Sequence, residues 1–255
     1  MKLKWLSRSL FLLGLALEAA AECHGNVLLS DNFDSNTFNS SKWAINTSLF
    51  DIYGTPKVVE QNQRIEITGR GYLNTVTNYD PAALGGLQIN GTWTFLSVGP
   101  GDSPKIVTRS SGTPSSYYVA SGEVTSGVTF GIGVPGAPVL FYIAGWGSAN
   151  VTGQTVVSNT LALAQGDTVS FQVTDDGTNL SFAMAKVGNP AMAAYATAVC
   201  TNRLPVNQVS FYNREYNANQ LALDNVVIQT LNTRVLTNIV LSPAASTIAA
   251  GSNLQ

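Results

Sequence analysis

The chain has 255 residues, 45% of them hydrophobic and only 11% charged, with a formal net charge of −2. No basic run follows residue 10, which argues against nucleic acid or another polyanion as a partner, and the apolar content suffices for one full core. Charged residues fall well below the roughly 25% of average soluble domains, so solubility rests on Ser, Thr, Asn, Gln and Gly.

Residues 1–21 read as a signal peptide. Lys2, Lys4 and Arg8 form a positive start, an apolar run covers 10–17, and Ala19, Ala20 and Ala21 offer a cleavage site. That run is too short to cross a bilayer, so no membrane insertion is expected after cleavage. Glu22 stands where lipidation of Cys23 would need a small residue. Export permits a disulfide, and Cys23 and Cys200 are the only cysteines. Two readings stay open: the two pair, or Cys23 belongs to a frayed leader while Cys200 is simply buried.

From there the chain reads as strands and turns. Strands are predicted at 27–33, 57–61, 64–68, 72–77, 86–98, 105–108, 117–120, 124–134, 138–144, 154–163, 168–174, 180–187, 206–212 and 220–231. The clearest hairpin turn is Asp175-Asp176-Gly177, between the alternating runs TVSFQV and LSFAMAKV. In the first run Val169, Phe171 and Val173 share one face and Thr168, Ser170 and Gln172 the other. One buried and one wet face is the habit of antiparallel sandwiches. A short helix or a loop is expected near 190–198. The predicted architecture is all-β, a two-sheet antiparallel jelly-roll sandwich over 22–232, with SDNFD (30–34) and LALDNVVIQ (221–229) as first and last strands side by side.

Residues 233–255 change character. LTNIVLSPAASTIAAGSNLQ resembles the opening of a bacterial Ig-like domain of group 2, far short of the roughly 100 residues such a sandwich needs. The alternative is a short tail strand on the jelly roll. The main body has its own resemblance. SDNFD, Lys42-Trp43, NYDPAALGGLQINGTWTFLSVG, TRSSG, VSFYNREY and LALDNVVIQ together resemble the concanavalin A-like lectin/glucanase (LamG-like) jelly rolls of secreted bacterial proteins. The resemblance covers about 27–230 and rests on scaffold motifs, with Phe33 and Trp43 as core aromatics. It implies sugar binding or adhesion and, in some branches, glycan cleavage.

Cleavage on this fold uses carboxylates at alternate positions of one strand, about 5–5.5 Å apart in retaining enzymes. Beyond residue 21 the Glu residues are Glu22, Glu60, Glu66, Glu123 and Glu215, and none has an acidic residue two positions away. Glu60 and Glu66 are the one pair that a hairpin would bring together. The only His is His24, so no Ser-His-Asp triad assembles on the core. Binding needs aromatic faces for pyranose rings and amides or charges for hydroxyls. Trp146 (between Gly145 and Gly147), Tyr118, Tyr212, Asn213, Arg214 and Tyr216 are the candidate contacts, and Trp43 and Trp93 are assigned to the core. Paired first and last strands would also bring Asp31 or Asp34 toward Asp224, a carboxylate set suited to a structural Ca²⁺. The competing reading has these aspartates serving local turns.

The sequence thus predicts a secreted, non-catalytic module that binds carbohydrate or serves surface adhesion. Its partners would be a glycan or cell-surface polysaccharide and further modules of the same chain. A glycan-active hydrolase and a structural spacer are the alternatives.

Overall fold

The computed structural model describes residues 25–48, 55–98, 104–115, 123–133, 139–152, 161–213 and 220–231. In chain order the strands are β1 (Val27–Asp31), β2 (Trp43–Asn46), β3 (Lys57–Gln61), β4 (Arg64–Thr68), β5 (Tyr72–Thr75), β6 (Leu87–Ser97), β7 (Lys105–Ser110), β8 (Gly127–Ile132), β9 (Phe141–Trp146), β10 (Val151–Thr152), β11 (Thr168–Asp175), β12 (Asn179–Lys186), β13 (Asn189–Cys200), β14 (Gln208–Tyr212) and β15 (Gln220–Thr230). One helical turn, α1 (Pro81–Leu84), precedes β6. Asp80 caps it by accepting from the Ala82 N–H at 3.0 Å, and Gly85 ends it at φ 72°.

The strands form two antiparallel sheets. The nine-stranded sheet runs β10-β13-β12-β11-β6-β15-β4-β3, with β1 also on β15; the six-stranded sheet runs β2-β5-β14-β7-β8-β9. This is the predicted jelly-roll sandwich, and the first and last strands do pair, Asp31 opposite Val226 and Val27 opposite Gln229. The N-terminal half of β15 pairs with β4 through Leu223, and its C-terminal half pairs with β1 from Val226 onward. A bulge at Asp224–Asn225 separates the halves, with Asn225 at φ 53°. An unpaired residue there bends the strand and lets one edge take two partners.

Period-two alternation builds the core. On β11, Val169, Phe171, Val173 and Asp175 point inward while Ser170 and Gln172 are exposed. Phe211 of β14 meets Trp43 of its own sheet at 6.0 Å and Trp93 and Phe171 of the opposite sheet at 6.2 Å each. Trp43 and Trp93 are core residues, as expected. The Trp43 indole also donates to Asp31 Oδ2 at 2.9 Å, anchoring β1 across the sandwich.

One end of the sandwich is tied by a buried ion pair. Arg109 Nη2 and Nε donate to the two oxygens of Asp175 at 2.6 and 3.0 Å. Thr108 adds a hydroxyl bond at 2.7 Å, and Arg109 Nη1 donates to the Cys200 and Asn202 carbonyls at 3.0 and 2.8 Å. Burial by itself would lower the guanidinium's pKa, but the bonds and charge of Asp175 more than reverse this and raise it. β7, β11 and the end of β13 therefore meet at one charge-assisted node.

Two expectations are corrected. Residues 190–198 lie inside the twelve-residue strand β13, not in a helix or loop, because Ala194, Ala196, Ala198 and Cys200 face the core in strict alternation. Trp43–Asn46 is a strand that the pattern did not predict. Of the two cysteines in the disulfide expectation, Cys23 lies outside the described residues, and Cys200 is buried with its thiol donating to Asn202 Oδ1 at 3.1 Å. Burial raises its pKa, so the thiol stays protonated. The predicted signal peptide, the Ig-like tail, the strand at 117–120 and most of that at 154–163 also lie outside the described residues.

Removing one partner of a buried, fully bonded ion pair strands the other charge, at a cost of about 3–5 kcal/mol. Denaturant unfolding of Asp175→Ala, followed by tryptophan fluorescence, is expected to show a loss of that size. The apolar double variant Arg109→Met/Asp175→Leu is expected to recover most of it; a single-variant loss under about 1 kcal/mol would contradict the clamp.

Candidate functional site

The outer face of the six-stranded sheet carries a row that crosses every strand. Register places Asn46 opposite Tyr72, Tyr72 opposite Tyr212, Tyr212 opposite Lys105, Lys105 opposite Gly131 and Gly131 opposite Tyr142. Tyr72 and Tyr212 stack with ring centroids 4.3 Å apart. The Tyr212 hydroxyl donates to the Glu123 carboxylate, and Lys105 Nζ donates to the Tyr142 hydroxyl while lying 4.2 Å from the centre of its ring. Gly131 is the place where this lysine fits, since an added Cβ would come within 2.6 Å of its side chain.

This face is closed. Tyr72, Tyr212 and Lys105 are fully buried, Glu123 is 1% exposed, and Val124 packs into the same aromatic cluster. Burial, and next the Glu123 charge, push the Tyr212 phenol well above its usual range, so it remains a proton donor.

The open site is on the other sheet. A trough of about 680 Å³ crosses the outer face of the nine-stranded sheet, within the usual size of small-molecule sites. Two rows line it. In one, Asn90, Gln172, Ala183 and Tyr195 stand directly opposite one another on β6, β11, β12 and β13. In the other, two residues along, are Thr92, Ser170, Ala185 and Ala193. The β6 and β11 half is therefore amide and hydroxyl, and the β12 and β13 half is alanine ending in one ring. Tyr195 is 55% exposed. Asn90 Oδ1 accepts from Gln172 at 3.1 Å and from Gln88 at 3.3 Å, which sets the Gln172 amide and leaves the Asn90 NH₂ group for a ligand. Gly91 stands opposite Phe171, whose ring an added Cβ would meet at 2.6 Å. Asn225, raised by the β15 bulge, closes one end.

Of the six binding residues expected from sequence, the structure brings two together on the closed face. Trp146, at the end of β9, is half-buried against Tyr72, Val107, Val124 and Tyr212, and its Nε1 is buried. Tyr212 is fully buried and stacked, and Asn213 is fully buried, so neither is a platform or an open amide. Aromatic area this large contributes more under cover than at a surface. Tyr118, Arg214 and Tyr216 lie outside the described residues. Tyr195, which the sequence reading missed, is marked by period two: Met192, Ala194, Ala196 and Ala198 face inward, which turns Tyr195 out.

The carboxylates occupy separate tasks. Glu60 opposes Ile65 and Glu66 opposes Val59, so Glu60 and Glu66 point to opposite faces and form no catalytic pair. Glu60 accepts from the Ser35 hydroxyl and the Thr37 N–H. Burial would raise the Glu66 carboxyl, but bonds from Gln61, Asn62 and Arg64 outweigh it and hold the group low. Asp31 is committed to the Trp43 indole, the Phe33 N–H and Lys42; Asp34 accepts from Asn32; Asp224 accepts from the N–H and the side chain of Asn225. Among the described residues no three of His, Cys, Asp and Glu gather as a metal-binding group.

No family model matches the chain. No curated protein matches it either. Solved structures do share its fold. The CBM2 module of the Lactobacillus casei BL23 phage J-1 evolved Dit aligns over 82% of this chain and 98% of its own, at TM-score 0.51 and 7% identity. The Bacteroides ovatus xyloglucan PUL GH43B aligns over 79% of this chain and 39% of its own, at TM-score 0.51 and 11% identity. The exoplasmic/lumenal domain of VIP36, in its metal-free form, aligns over 80% and 92%, at TM-score 0.50 and 11% identity. At such identities the likeness establishes the jelly-roll sandwich and nothing finer.

Burial, and next the backbone bond from Asn225 and the charge of Asp34, act on Asp224, and the net effect raises its pKa. A carboxyl with a raised folded pKa destabilises the native state above that pKa, and the penalty disappears as pH falls below the unfolded value. Asp224→Asn is therefore expected to melt higher than the parent at pH 7, with the two curves merging toward pH 3. A lower melting temperature at pH 7 would show that the carboxylate's bonds to Asn225 outweigh its repulsion.

Proposed function

We propose that this chain is a secreted, non-catalytic glycan-binding module, with the trough on the nine-stranded sheet as its binding face. The observation that carries the reading is Tyr195, an exposed ring standing in register with the Gln172 and Asn90 amides across an alanine floor. A pyranose offers a C–H face that stacks on a ring and hydroxyls that pair with amides, and the trough supplies both halves side by side. Its lining holds amides, hydroxyls, alanines and one phenol, which suits binding rather than acid–base chemistry. The shared fold with a CBM2 module and a xyloglucan PUL GH43B protein is in keeping with this reading, as is the leader-like sequence at residues 1–21.

The closed face of the six-stranded sheet serves as packing in this account. Its outward β7 positions are Lys105 and Val107, not alternate carboxylates.

A glycan array probed with the full chain is expected to give hits that Tyr195→Ala weakens about tenfold, equivalent to about 1.4 kcal/mol, and that Trp146→Phe leaves unchanged. No hit on any glycan, or hits indifferent to Tyr195→Ala, would overturn the assignment.

A further inference from the structure

Resting on that glycan-binding reading, we infer that the trough selects an uncharged linear glycan, laid across the strands and engaged over several rings. Three observations carry this. Asn90, Gln172, Ala183 and Tyr195 form one straight row over four adjacent strands, so the amide end and the ring end are three strand spacings, about 14 Å, apart. A single pyranose does not bridge that distance, and a short oligosaccharide does.

The second observation is charge. Among the described residues, Asn, Gln, Ser, Thr, Tyr, Ala, Gly, Phe and Met line the trough, with no cation to pair a uronate, sulfate or sialate. Beside it stands Asp224, opposite Thr92 on the neighbouring strand, whose negative charge disfavours an anionic chain further, while Arg64, next to Asp224 on β4, is paired with Glu66 at 2.8 Å. The third is the floor. Ala183 and Ala185 leave β12 free of projecting side chains between the amides on β11 and the ring on β13, and Ala193 keeps the position beside the ring low. That gap accepts the body of a flat chain whose ends are held by the Asn90–Gln172 amides and by Tyr195.

Two measurements on the full chain test the inference. In affinity electrophoresis, laminarin, xylan and glucomannan are expected to retard the protein, and polygalacturonate and heparin to leave its mobility unchanged at low salt. In calorimetric titrations with the neutral oligosaccharide series that the array selects, affinity is expected to rise at least tenfold from monosaccharide to tetrasaccharide. Gln172→Ala and Tyr195→Ala should each flatten that rise, and Ala183→Trp should abolish binding while leaving the melting temperature in place. Retardation by the anionic polysaccharides, or a monosaccharide binding as tightly as the longer chains, would overturn this inference and leave the glycan-binding assignment standing. A parent protein that is dimeric by sedimentation and becomes monomeric on Tyr195→Ala would overturn both, by making the trough a contact between copies of the chain.

Discussion

The buried pair of Arg109 and Asp175 is the interaction on which the rest of the sandwich depends. Aliphatic and aromatic packing between two sheets is close but non-directional, so by itself it singles out one alignment only weakly. A bidentate guanidinium–carboxylate bond does have direction, and this one joins the bulged end of β7 to the last residue of β11. Water is excluded around both groups, so any shift that breaks the geometry leaves a charge unsolvated. The same strand that ends in this clamp displays Ser170 and Gln172 outward, five and three residues earlier. Position on the outer trough is thus inherited from an ionic contact inside the sandwich.

The two outer faces solve opposite problems. The six-stranded sheet carries its large polar aromatics outward and covers them, which gains their area but obliges every hydroxyl and charge to find a partner. Tyr212 with Glu123 and Lys105 with Tyr142 meet that obligation pairwise, and the stacked Tyr72–Tyr212 pair adds about 0.5–1.5 kcal/mol beyond area. The nine-stranded sheet places small and amide side chains outward and leaves them wet. Little there has to be desolvated for folding, so a ligand on the proposed face would meet an already formed surface. Binding at such a face costs little reorganisation.

Much of this was legible in the chain. β3 and β4 fall where the alternation of KVVEQ and RIEIT puts them, and the Asp175-Asp176-Gly177 turn joins β11 to β12. Pairing of the first and last strands also followed from their sequences. What stayed hidden was which of two outward faces would be covered. Trp146 and Tyr212 sit at strand ends in sequence, where exposure is the simple expectation, yet Val124 and Tyr72, distant in the chain, pack with them in one buried cluster. β13 was obscured for a different reason: Ala favours helices, and the run AMAAYATA hides its period of two because alanine serves on both faces. Tyr195, the one large residue on the outward phase, carries the signal, and it is recognisable only once Cys200, Ala198 and Ala196 are counted back from the buried end.

The alanines and amides of the trough also conflict with the fold that bears them. Ala and Asn are poor strand residues, and a sheet face built for stability would carry Thr, Val, Ile or Tyr at these positions. β11 and β12 do use Val169, Phe171, Val173, Phe182 and Met184 on the inner face, where packing decides, and abandon that preference on the outer face only. Each such choice forgoes some tenths of a kcal/mol of cross-strand packing. The losses run across β6, β11, β12 and β13, and the ring that remains stands at their edge. A departure from local preference that follows a groove is what the proposed glycan-binding face requires, since the side chains there would serve contact with a ligand rather than the stability of the sheet.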